Sequence, residues 1–260
     1  MIYKRVAASL ASRRKLLAEF FIKFNAHPDI RLVIGKIRYF WLSRVSGIQT
    51  LKGKDSRRNT VAHNLTAFKN FSNDFTMPRM EWLIKAVTSI EFAHRNSRFL
   101  VIGPRTESDI LRLKGDGFRD VTGLDLISYS KDIILGDMHN MPFPENNFDI
   151  VIMGWTLSYS ANPSQVADEI LRVTRPGGLV AIGVEHLTLK SQHLNRGGLL
   201  DPLDDCNRIN TVDQIIGLFG SSVKNIFFRH DAPLSDADPF DIVAINGLNS
   251  SQVMTVFQVK

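Results

Sequence analysis

The chain has 260 residues, more than a typical single domain of about 100 to 150 residues but within the reach of one elaborated α/β domain. Its composition, 44% hydrophobic and 22% charged, is that of an ordinary globular protein. A single cysteine, Cys206, excludes an internal disulfide and a cysteine-rich zinc site, and no window of about 18 apolar residues exists to span a bilayer. We therefore predict no metal site, and we expect a cytoplasmic protein.

The positive charge is concentrated at the start of the chain. Residues 1–60 contain 14 Lys and Arg against 3 Asp and Glu, whereas residues 61–260 contain 18 against 23, and the whole chain carries +6. Residues 2–24 place apolar side chains on one side of a helical wheel and cations largely opposite, which predicts a basic amphipathic helix. Such a helix packs on its own domain, on another subunit, on an anionic membrane or on nucleic acid. Residues 1–60 are thus a candidate protein contact or peripheral membrane contact.

The next segments predict a boundary in the chain. Residues 43–76 are rich in Ser, Asn, Lys and Arg, which is typical of a solvated connection. From residue 77 a helix is predicted, because a proline lies in its first turn and apolar side chains then recur at helical spacing. We divide the chain into a helical extension and linker over residues 1–76 and one domain over residues 77–260.

Three apolar runs rich in β-branched residues, 99–103, 148–153 and 178–183, are each too short for a helix and end in turn residues. They predict strands of a buried parallel sheet. Residues 163–174 carry apolar side chains at helical spacing, and the Arg-Pro-Gly-Gly sequence over 175–178 predicts the end of that helix. Strand, helix, glycine turn and strand make a βαβ unit.

Several short motifs follow one another through this region. They are an acidic residue after the second strand, Asp125; Gly136-Asp137; Met141-Pro142-Phe143; Phe148-Asp149; and Arg175-Pro176-Gly177-Gly178. In this order and spacing they resemble the Rossmann-like, class I S-adenosylmethionine (SAM)-dependent methyltransferases of the small-molecule type. The resemblance implies a doubly wound α/β fold with a seven-stranded, mostly parallel sheet and one antiparallel strand, and it implies SAM as the cofactor.

The end of the chain predicts the remaining elements of that fold. Residues 211–219 predict the last helix, with Thr211 as its N-cap. Residues 223–229 and 240–245 then predict the final pair of strands, one of them antiparallel to the rest.

The turn after the first strand departs from the family. Gly103 is present, but Arg105 and Glu107 stand where the family usually has its second and third glycines. Arg105 is a candidate to pair with the methionine carboxylate of the cofactor. Alternatively, the bulk of Arg105 and Glu107 fills the site, and the fold serves as a binding or scaffold module without catalysis.

Two later carboxylates match the cofactor contacts of the family. Asp125 lies 22 residues after Gly103, close to the usual spacing for an acidic residue that accepts hydrogen bonds from ribose hydroxyls. The alternative for Asp125 is a cap on the next turn through Ser128. The resemblance also places Leu126 in the cofactor site, and it places Asp137 near the adenine amine with Met138 against the ring.

The residues after the fourth strand bear on the acceptor. No Asn/Asp-Pro-Pro-aromatic motif occurs there, and Cys206 does not lie beside that strand in sequence, so methylation of nucleic acid is disfavoured. Trp155 and Tyr159 are candidates for an acceptor pocket or for plain packing. We expect a small-molecule, glycan or lipid-linked acceptor.

Methyl transfer by in-line displacement depends on positioning, and an oxygen or nitrogen acceptor also benefits from a base. His186, at the end of the fifth strand, is the first candidate base, and His139 is the second. A nicotinamide oxidoreductase is disfavoured, because neither a complete Gly-x-Gly-x-x-Gly motif nor a Tyr-x-x-x-Lys pair occurs.

Overall fold

The computed structural model describes residues 27–51, 61, 64–65, 78–187, 209–231, 244–245 and 248–260. The predicted amphipathic helix over residues 2–24 and most of the predicted connection lie outside these ranges. The helices within them are α1 (Pro28–Val45), α2 (Pro78–Thr88), α3 (Ser108–Gly115), α4 (Pro163–Val173) and α5 (Val212–Phe219). The strands are β1 (Gln49–Thr50), β2 (Arg98–Ile102), β3 (Asp120–Asp125), β4 (Ile127–Ser128), β5 (Ile133–Leu135), β6 (Phe148–Gly154), β7 (Thr174–Leu187), β8 (Val223–His230), β9 (Ala244–Ile245) and β10 (Leu248–Val259).

Seven strands form the main sheet in the order β5-β3-β2-β6-β7-β10-β8. The first five run parallel, and β10 lies antiparallel between β7 and β8. The short strand β9 pairs with the start of β10, and β1 pairs with β4 in a separate two-stranded sheet. The predicted α/β fold, with seven strands of which one is antiparallel, is confirmed.

Helices cover both faces of this sheet. The core on one face is formed with α2 and α3, and apolar residues of α1 pack against it; the core on the other face is formed with α4 and α5. Residues 99–102 of β2 and 150–153 of β6 are almost completely buried. Burial on both faces explains why these strands read as continuous apolar runs without alternation.

The predicted helix starts are confirmed by their caps. The Asn162 side chain accepts a hydrogen bond from the Gln165 backbone N–H at the start of α4, and Pro163 occupies the first turn. The Thr211 side chain accepts in the same way from the Gln214 backbone N–H at the start of α5. Each cap satisfies one of the amide groups that a helix start leaves without an intrahelical partner.

The predicted glycine turn before the fifth strand is absorbed into the strand itself. Strand β7 already begins at Thr174, which pairs with Phe148, and the register shifts before Ile150 pairs with Leu179. Gly177 has φ 77°, a left-handed conformation that glycine adopts without steric cost. The turn residues therefore make a bulge inside a longer strand.

The prediction for the last strand was wrong. The strand that completes the sheet is β10, whereas residues 244–245 form only the short β9 and residues 240–243 lie outside the described part. Polar residues interrupt the apolar pattern of β10, yet Gln252, Thr255 and Gln258 are buried. The Thr255 hydroxyl donates to the Phe228 carbonyl at 3.0 Å, and the Gln258 amide donates to the Gly177 carbonyl at 3.0 Å. These bonds satisfy polar groups that hydropathy alone assigns to the surface.

Helix α1, which falls within the predicted extension, packs on the domain. Arg31 forms an ion pair with Glu81 of α2, and the ring of Tyr39 meets that of Tyr129 edge to face at 5.0 Å. Strand β1 then runs antiparallel to β4. The described part of the extension is therefore held against the domain by ionic, aromatic and backbone contacts.

Candidate cofactor and acceptor site

A cavity opens at the carboxyl ends of β2, β3 and β6, where open α/β sheets bind their ligands. Its empty volume, open mouth included, is about 1090 Å³, which is ample for a nucleoside-sized ligand. It brings together the predicted cofactor and acceptor residues Gly103, Arg105, Asp125, Leu126, Asp137, Met138, Trp155 and Tyr159.

The turn after β2 allows the backbone to lie close to the neighbouring strand end. Gly103 has φ 70°, and its N–H donates to the Leu124 carbonyl at 2.8 Å. A Cβ at this position would come within 2.2 Å of the Thr156 hydroxyl oxygen. Only glycine therefore fits here, both for its backbone conformation and for space.

Arg105 takes the backbone conformation that a glycine would take. Its φ is 52°, and its N–H donates to the Asp125 carboxylate at 2.8 Å. Its Nε donates to the Asn64 side-chain oxygen at 3.1 Å, and the residue lines the cavity. The turn thus takes a left-handed conformation at residue 105 without a glycine, and the hydrogen bond to Asp125 holds it.

Glu107 turns away from the cavity. Its side chain is fully buried, and Arg38 of α1 donates to both carboxylate oxygens at 2.7 Å. Ser130 donates to the same carboxylate, and the Tyr129 hydroxyl accepts from the Glu107 N–H at 3.0 Å. Glu107 is not among the described residues that line the cavity, so the suggestion that its bulk fills the site is wrong.

The electrostatics of this cluster follow from burial and pairing. The hydrogen bond with Glu107 raises the pKa of Arg38 above its ordinary value, although burial of the guanidinium opposes this. Burial raises the pKa of the Tyr129 hydroxyl, and the Glu107 charge raises it further. The buried Glu107 carboxylate is therefore balanced by a cation from α1.

Asp125 ends β3 with its side chain against the cavity and 6% of its surface exposed. Its two carboxylate oxygens accept from the Arg105 N–H at 2.8 Å and the Ile127 N–H at 3.2 Å. Burial raises the pKa of this carboxyl, and the two backbone N–H groups oppose that shift. Asp125 does cap the following turn, but through the Ile127 amide, whereas the Ser128 hydroxyl donates to the Ser130 and Ile133 carbonyls.

Asp137, His139 and Ser160 form a hydrogen-bonded chain. The Asp137 carboxylate lies 2.6 Å from His139 Nδ1 and accepts from the His139 backbone N–H at 2.9 Å. His139 Nε2 lies 2.8 Å from the Ser160 hydroxyl oxygen, and this hydroxyl is itself buried. Both ring nitrogens of His139 are engaged, and His139 is not among the described cavity residues. The geometry therefore favours a role for His139 in orienting Asp137 over a role as the base.

His186 lies near the end of β7, opposite Ser251 of β10. The described part of the chain includes its backbone but not its side chain. Its place at the carboxyl end of a parallel strand is on the same edge of the sheet as the cavity.

Helix α4 holds the loop that carries Asp137 and Met138. The Glu169 carboxylate accepts from the Met141 N–H at 2.7 Å, and Arg172 donates to the Phe143 carbonyl at 2.7 Å. Arg172 also pairs with Glu169, and this bond lowers the pKa of the Glu169 carboxyl. These bonds therefore connect the two sequence motifs around residues 136–148 and 169–178 in the folded structure.

Trp155 follows β6 in a left-handed conformation with φ 60°. Its backbone N–H donates to the Gly183 carbonyl at 2.7 Å, and a Cβ on Gly183 would lie 3.0 Å from its ring. The ring is nearly buried, and Tyr159 follows in a 3₁₀ turn over Leu157–Tyr159. Both residues line the cavity, and Trp155 also packs against the sheet.

Sequence reasoning missed several residues of this cavity, among them Asn64, Met80, Asp109 and Thr156. Thr156 follows the predicted Trp155 directly, so its position at the end of a strand was a usable signal. Asn64 lies in the segment read as a solvated connection, and nothing in its local sequence marks it.

No group of three or more His, Cys, Asp or Glu within the described ranges could hold a metal ion. No helix in the same ranges has the length and apolar character needed to cross a bilayer.

Comparison with known proteins gives one family. Residues 100–182 match the family described as a methyltransferase domain. The demethylmenaquinone methyltransferase of Symbiobacterium thermophilum is 45% identical over 51 residues, which cover 18% of this chain and 20% of that protein. The enzyme of the same name from Listeria monocytogenes is 38% identical over 65 residues, 25% of this chain and 27% of that protein. The chain thus spans only about a fifth of the length of the first curated relatives it matches.

Solved structures share the fold. A Galdieria sulphuraria protein, provisionally assigned as a sarcosine dimethylglycine methyltransferase, superposes with a TM-score of 0.51 at 13% identity, covering 85% of this chain and 97% of that one. A Haloferax volcanii protein, provisionally assigned as a methyltransferase and solved with the Trm112 methyltransferase activator, gives 0.51 at 16% identity, covering 75% and 96%. At these identities the likeness shows the fold alone.

The Rossmann-like sheet, with its cavity at the carboxyl ends of β2, β3 and β6, defines the class I methyltransferase architecture. Residues 100–182 match the methyltransferase domain family, in agreement with the resemblance that the sequence motifs carry, and this match implies SAM as the cofactor.

Proposed function

We propose that this chain is a SAM-dependent methyltransferase that acts on a small-molecule, glycan or lipid-linked acceptor. The observation that carries the proposal is the meeting of Arg105, Asp125 and Asp137 in one cavity at the carboxyl ends of the strands. These residues come from three separate loops, so their convergence is a property of the fold and not of one local motif.

The charges of the cavity fit the cofactor. Among the residues that the structure describes, the charged ones lining the cavity are the carboxylates Asp109, Asp125 and Asp137 and the guanidinium of Arg105. SAM supplies a methyl group on a positively charged sulfur, beside an amino group, a carboxylate and a ribose. An acidic cavity with one cation suits that set of groups, because each charge can meet an opposite one.

Specific contacts follow from the residues. Asp125 would accept hydrogen bonds from the ribose hydroxyls, with Leu126 beside it, and Asp137 with Met138 would hold the adenine. Gly103 leaves space for the ligand next to the backbone, and Arg105 would pair with the methionine carboxylate. The paired hydrogen bonds from Arg38 to Glu107, which we call the Arg38 clasp, support this arrangement. They hold the Glu107 carboxylate away from the place where an anion would bind.

Trp155 and Tyr159 are the proposed walls of the acceptor pocket. Holding the acceptor atom in line supplies much of the rate acceleration in such a transfer. His186 is the proposed base that accepts the acceptor's proton, and His139 orients Asp137 through its ring nitrogen.

The names of the curated relatives suggest the first acceptor to try, a demethylated quinol. The experiment supplies SAM labelled with tritium in its methyl group to the purified chain, with demethylmenaquinol or with fractionated cell extract. We expect label in the organic-extractable or small-molecule fraction, and we expect His186→Gln to lower kcat more than KM if His186 is the base. Label in nucleic acid or protein, with none in small molecules, would overturn the acceptor class.

A further inference from the structure

Helix α1 is apolar on two opposite faces. Its inner face carries Leu32, Tyr39 and Leu42, which pack against the domain core. A helix on a protein surface normally turns a polar face to water. The outward side of α1 instead carries five large apolar side chains that are exposed, namely Val33 (55%), Ile37 (64%), Phe40 (57%), Trp41 (66%) and Val45 (67%).

These five residues, which we call the outer stripe, lie along one side of the helix, because each is three or four positions from another of them. Among the described residues that are large, hydrophobic and exposed, Trp41 and Val45 are the most exposed. A continuous apolar patch of this kind marks an interaction surface, whereas single exposed apolar residues do not.

Cations flank the outer stripe. The Arg44 guanidinium lies 3.9 Å from the centre of the Phe40 ring, and the exposed Lys36 lies one helical turn before Phe40. Helix α1 has four Lys or Arg against one Asp, and residues 1–26, which precede it, have six against one Glu. The apolar stripe therefore sits within a strongly basic part of the chain.

We propose that the outer stripe of α1 docks on an anionic lipid surface. Aromatic and aliphatic side chains enter the boundary between headgroups and acyl chains, while lysine and arginine beside them meet the anionic headgroups. A nucleic acid would need cations on the contact face itself, which here is apolar. A second copy of the chain would bring two basic segments together, and like charges oppose that contact.

The outer stripe is separate from the cavity, because α1 contacts the cofactor loop through its inner face. The inner face of α1 holds Glu107 through Arg38, and Glu107 immediately precedes α3 in the loop that carries Arg105. Membrane docking and methyl transfer can therefore be tested separately on the same protein.

The experiment is co-sedimentation of the full chain with vesicles of phosphatidylcholine alone and with vesicles containing 30% phosphatidylglycerol, a composition chosen to be roughly that of an anionic leaflet. The test variant is Phe40→Ser with Trp41→Ser. The matched control is Phe92→Ser with Phe227→Ser, because these two rings are also exposed (38% and 43%), their centres lie 5.8 Å apart, and neither belongs to α1. Circular dichroism and calorimetric SAM binding without vesicles show that each variant is folded.

We expect the wild type and the control variant to bind the anionic vesicles, with binding weakened by added salt. The Phe40/Trp41 variant should bind at least about tenfold more weakly. Equal binding by the Phe40/Trp41 variant and the Phe92/Phe227 control would overturn the proposal. Binding of the wild type to neutral vesicles only would also overturn it. So would light scattering that shows a dimer lost in the Phe40/Trp41 variant while no form binds vesicles, since that result assigns the stripe to a second copy.

Discussion

Asp125 is the residue on which the proposed site depends most. Burial raises the pKa of its carboxyl group. Hydrogen bonds from the Arg105 and Ile127 backbone amides fix the position of this group at the cavity wall. The ionised carboxylate accepts hydrogen bonds from both ribose hydroxyls more strongly than the protonated acid, which carries an O–H donor of its own. The protonation state of Asp125 therefore controls ligand affinity in this account.

The affinity for S-adenosylhomocysteine (SAH) should thus depend on pH. It should be constant well above the raised pKa and fall as pH drops through it, at a higher pH than the ordinary aspartate value of about 3.9 would give. Without ligand, the free energy of unfolding changes with pH in the opposite direction to the affinity. The native state holds the proton more tightly, so this group's contribution to the free energy of unfolding decreases as pH rises through the raised pKa.

Calorimetric titration from about pH 4, near the ordinary aspartate value, up to about pH 8 measures this dependence. The Asp125→Asn variant should bind at least about tenfold more weakly at neutral pH and show a flat profile. A profile in that variant identical to that of the wild type would exclude Asp125 as the titrating group.

Gly103 offers a second prediction at this scale. Gly103→Ala places a Cβ 2.2 Å from the Thr156 hydroxyl at φ 70°, so the variant should lose about 1 to 3 kcal/mol of unfolding free energy. The control is Gly217→Ala, which meets nothing within 4 Å in α5 and should gain up to about 1 kcal/mol. Urea denaturation followed by circular dichroism gives both values. A neutral Gly103→Ala would show that the turn relaxes easily.

Some of these residues were predictable and others were not. Asp125 and Asp137 follow short strands at a spacing that the sequence itself displays. Asn64 and the Arg38 clasp are not visible there, because Arg38 and Glu107 lie 69 positions apart and no local pattern records their pairing.

At the scale of elements, α1 and the cofactor loop are joined by the Arg38–Glu107 pair. Arg38→Met leaves a fully buried carboxylate without its guanidinium and should cost about 2 to 4 kcal/mol of unfolding free energy. It should also weaken SAH binding, since Glu107 is then free to repel an anion near the site. Adding Glu107→Gln should restore most of the stability.

The matched control for that change is Arg98→Met. Arg98 pairs with Asp120 at 3.3 Å, but both side chains are about half exposed, so the loss should be below about 1 kcal/mol. Chemical denaturation of the single and double variants measures the coupling. Equal losses for Arg38→Met and Arg98→Met would contradict the proposed role of the clasp.

The elements differed in how well the sequence predicted them. Helices α4 and α5 were predicted to within a residue or two because their caps are local. Strand β10 was missed, since its buried Thr255 and Gln258 look like surface residues until their partners on β7 and β8 are known.

At the scale of the whole molecule, β10 holds β8 to the rest of the sheet. It lies between β7 and β8, and its Val253, Val256 and Phe257 are completely buried. Deletion of residues 248–260 should therefore abolish cooperative folding, whereas deletion of the exposed Lys260 alone should not. Thermal unfolding followed by circular dichroism decides this. A cooperative transition within a few degrees of the full chain would show that the sheet closes without β10.

The fold as a whole was predicted because its parallel strands are continuous apolar runs and its motifs come in a fixed order. The division at residue 76 stays a prediction, and in the described ranges α1 is held tightly on the domain. Ion pairs between distant residues and the two-residue strand β1 contribute to that contact, and neither feature has a sequence signature.

The proposed function requires that the altered glycine turn still forms a SAM site. Calorimetric titration of the purified chain with SAM and with SAH tests it most directly, beside Asp125→Ala and Arg105→Ala. We expect saturable binding by the wild type, binding at least about tenfold weaker in Asp125→Ala, and a further weakening when Arg105→Ala is added to it. A folded wild-type chain that takes up neither ligand at about millimolar concentration would contradict it.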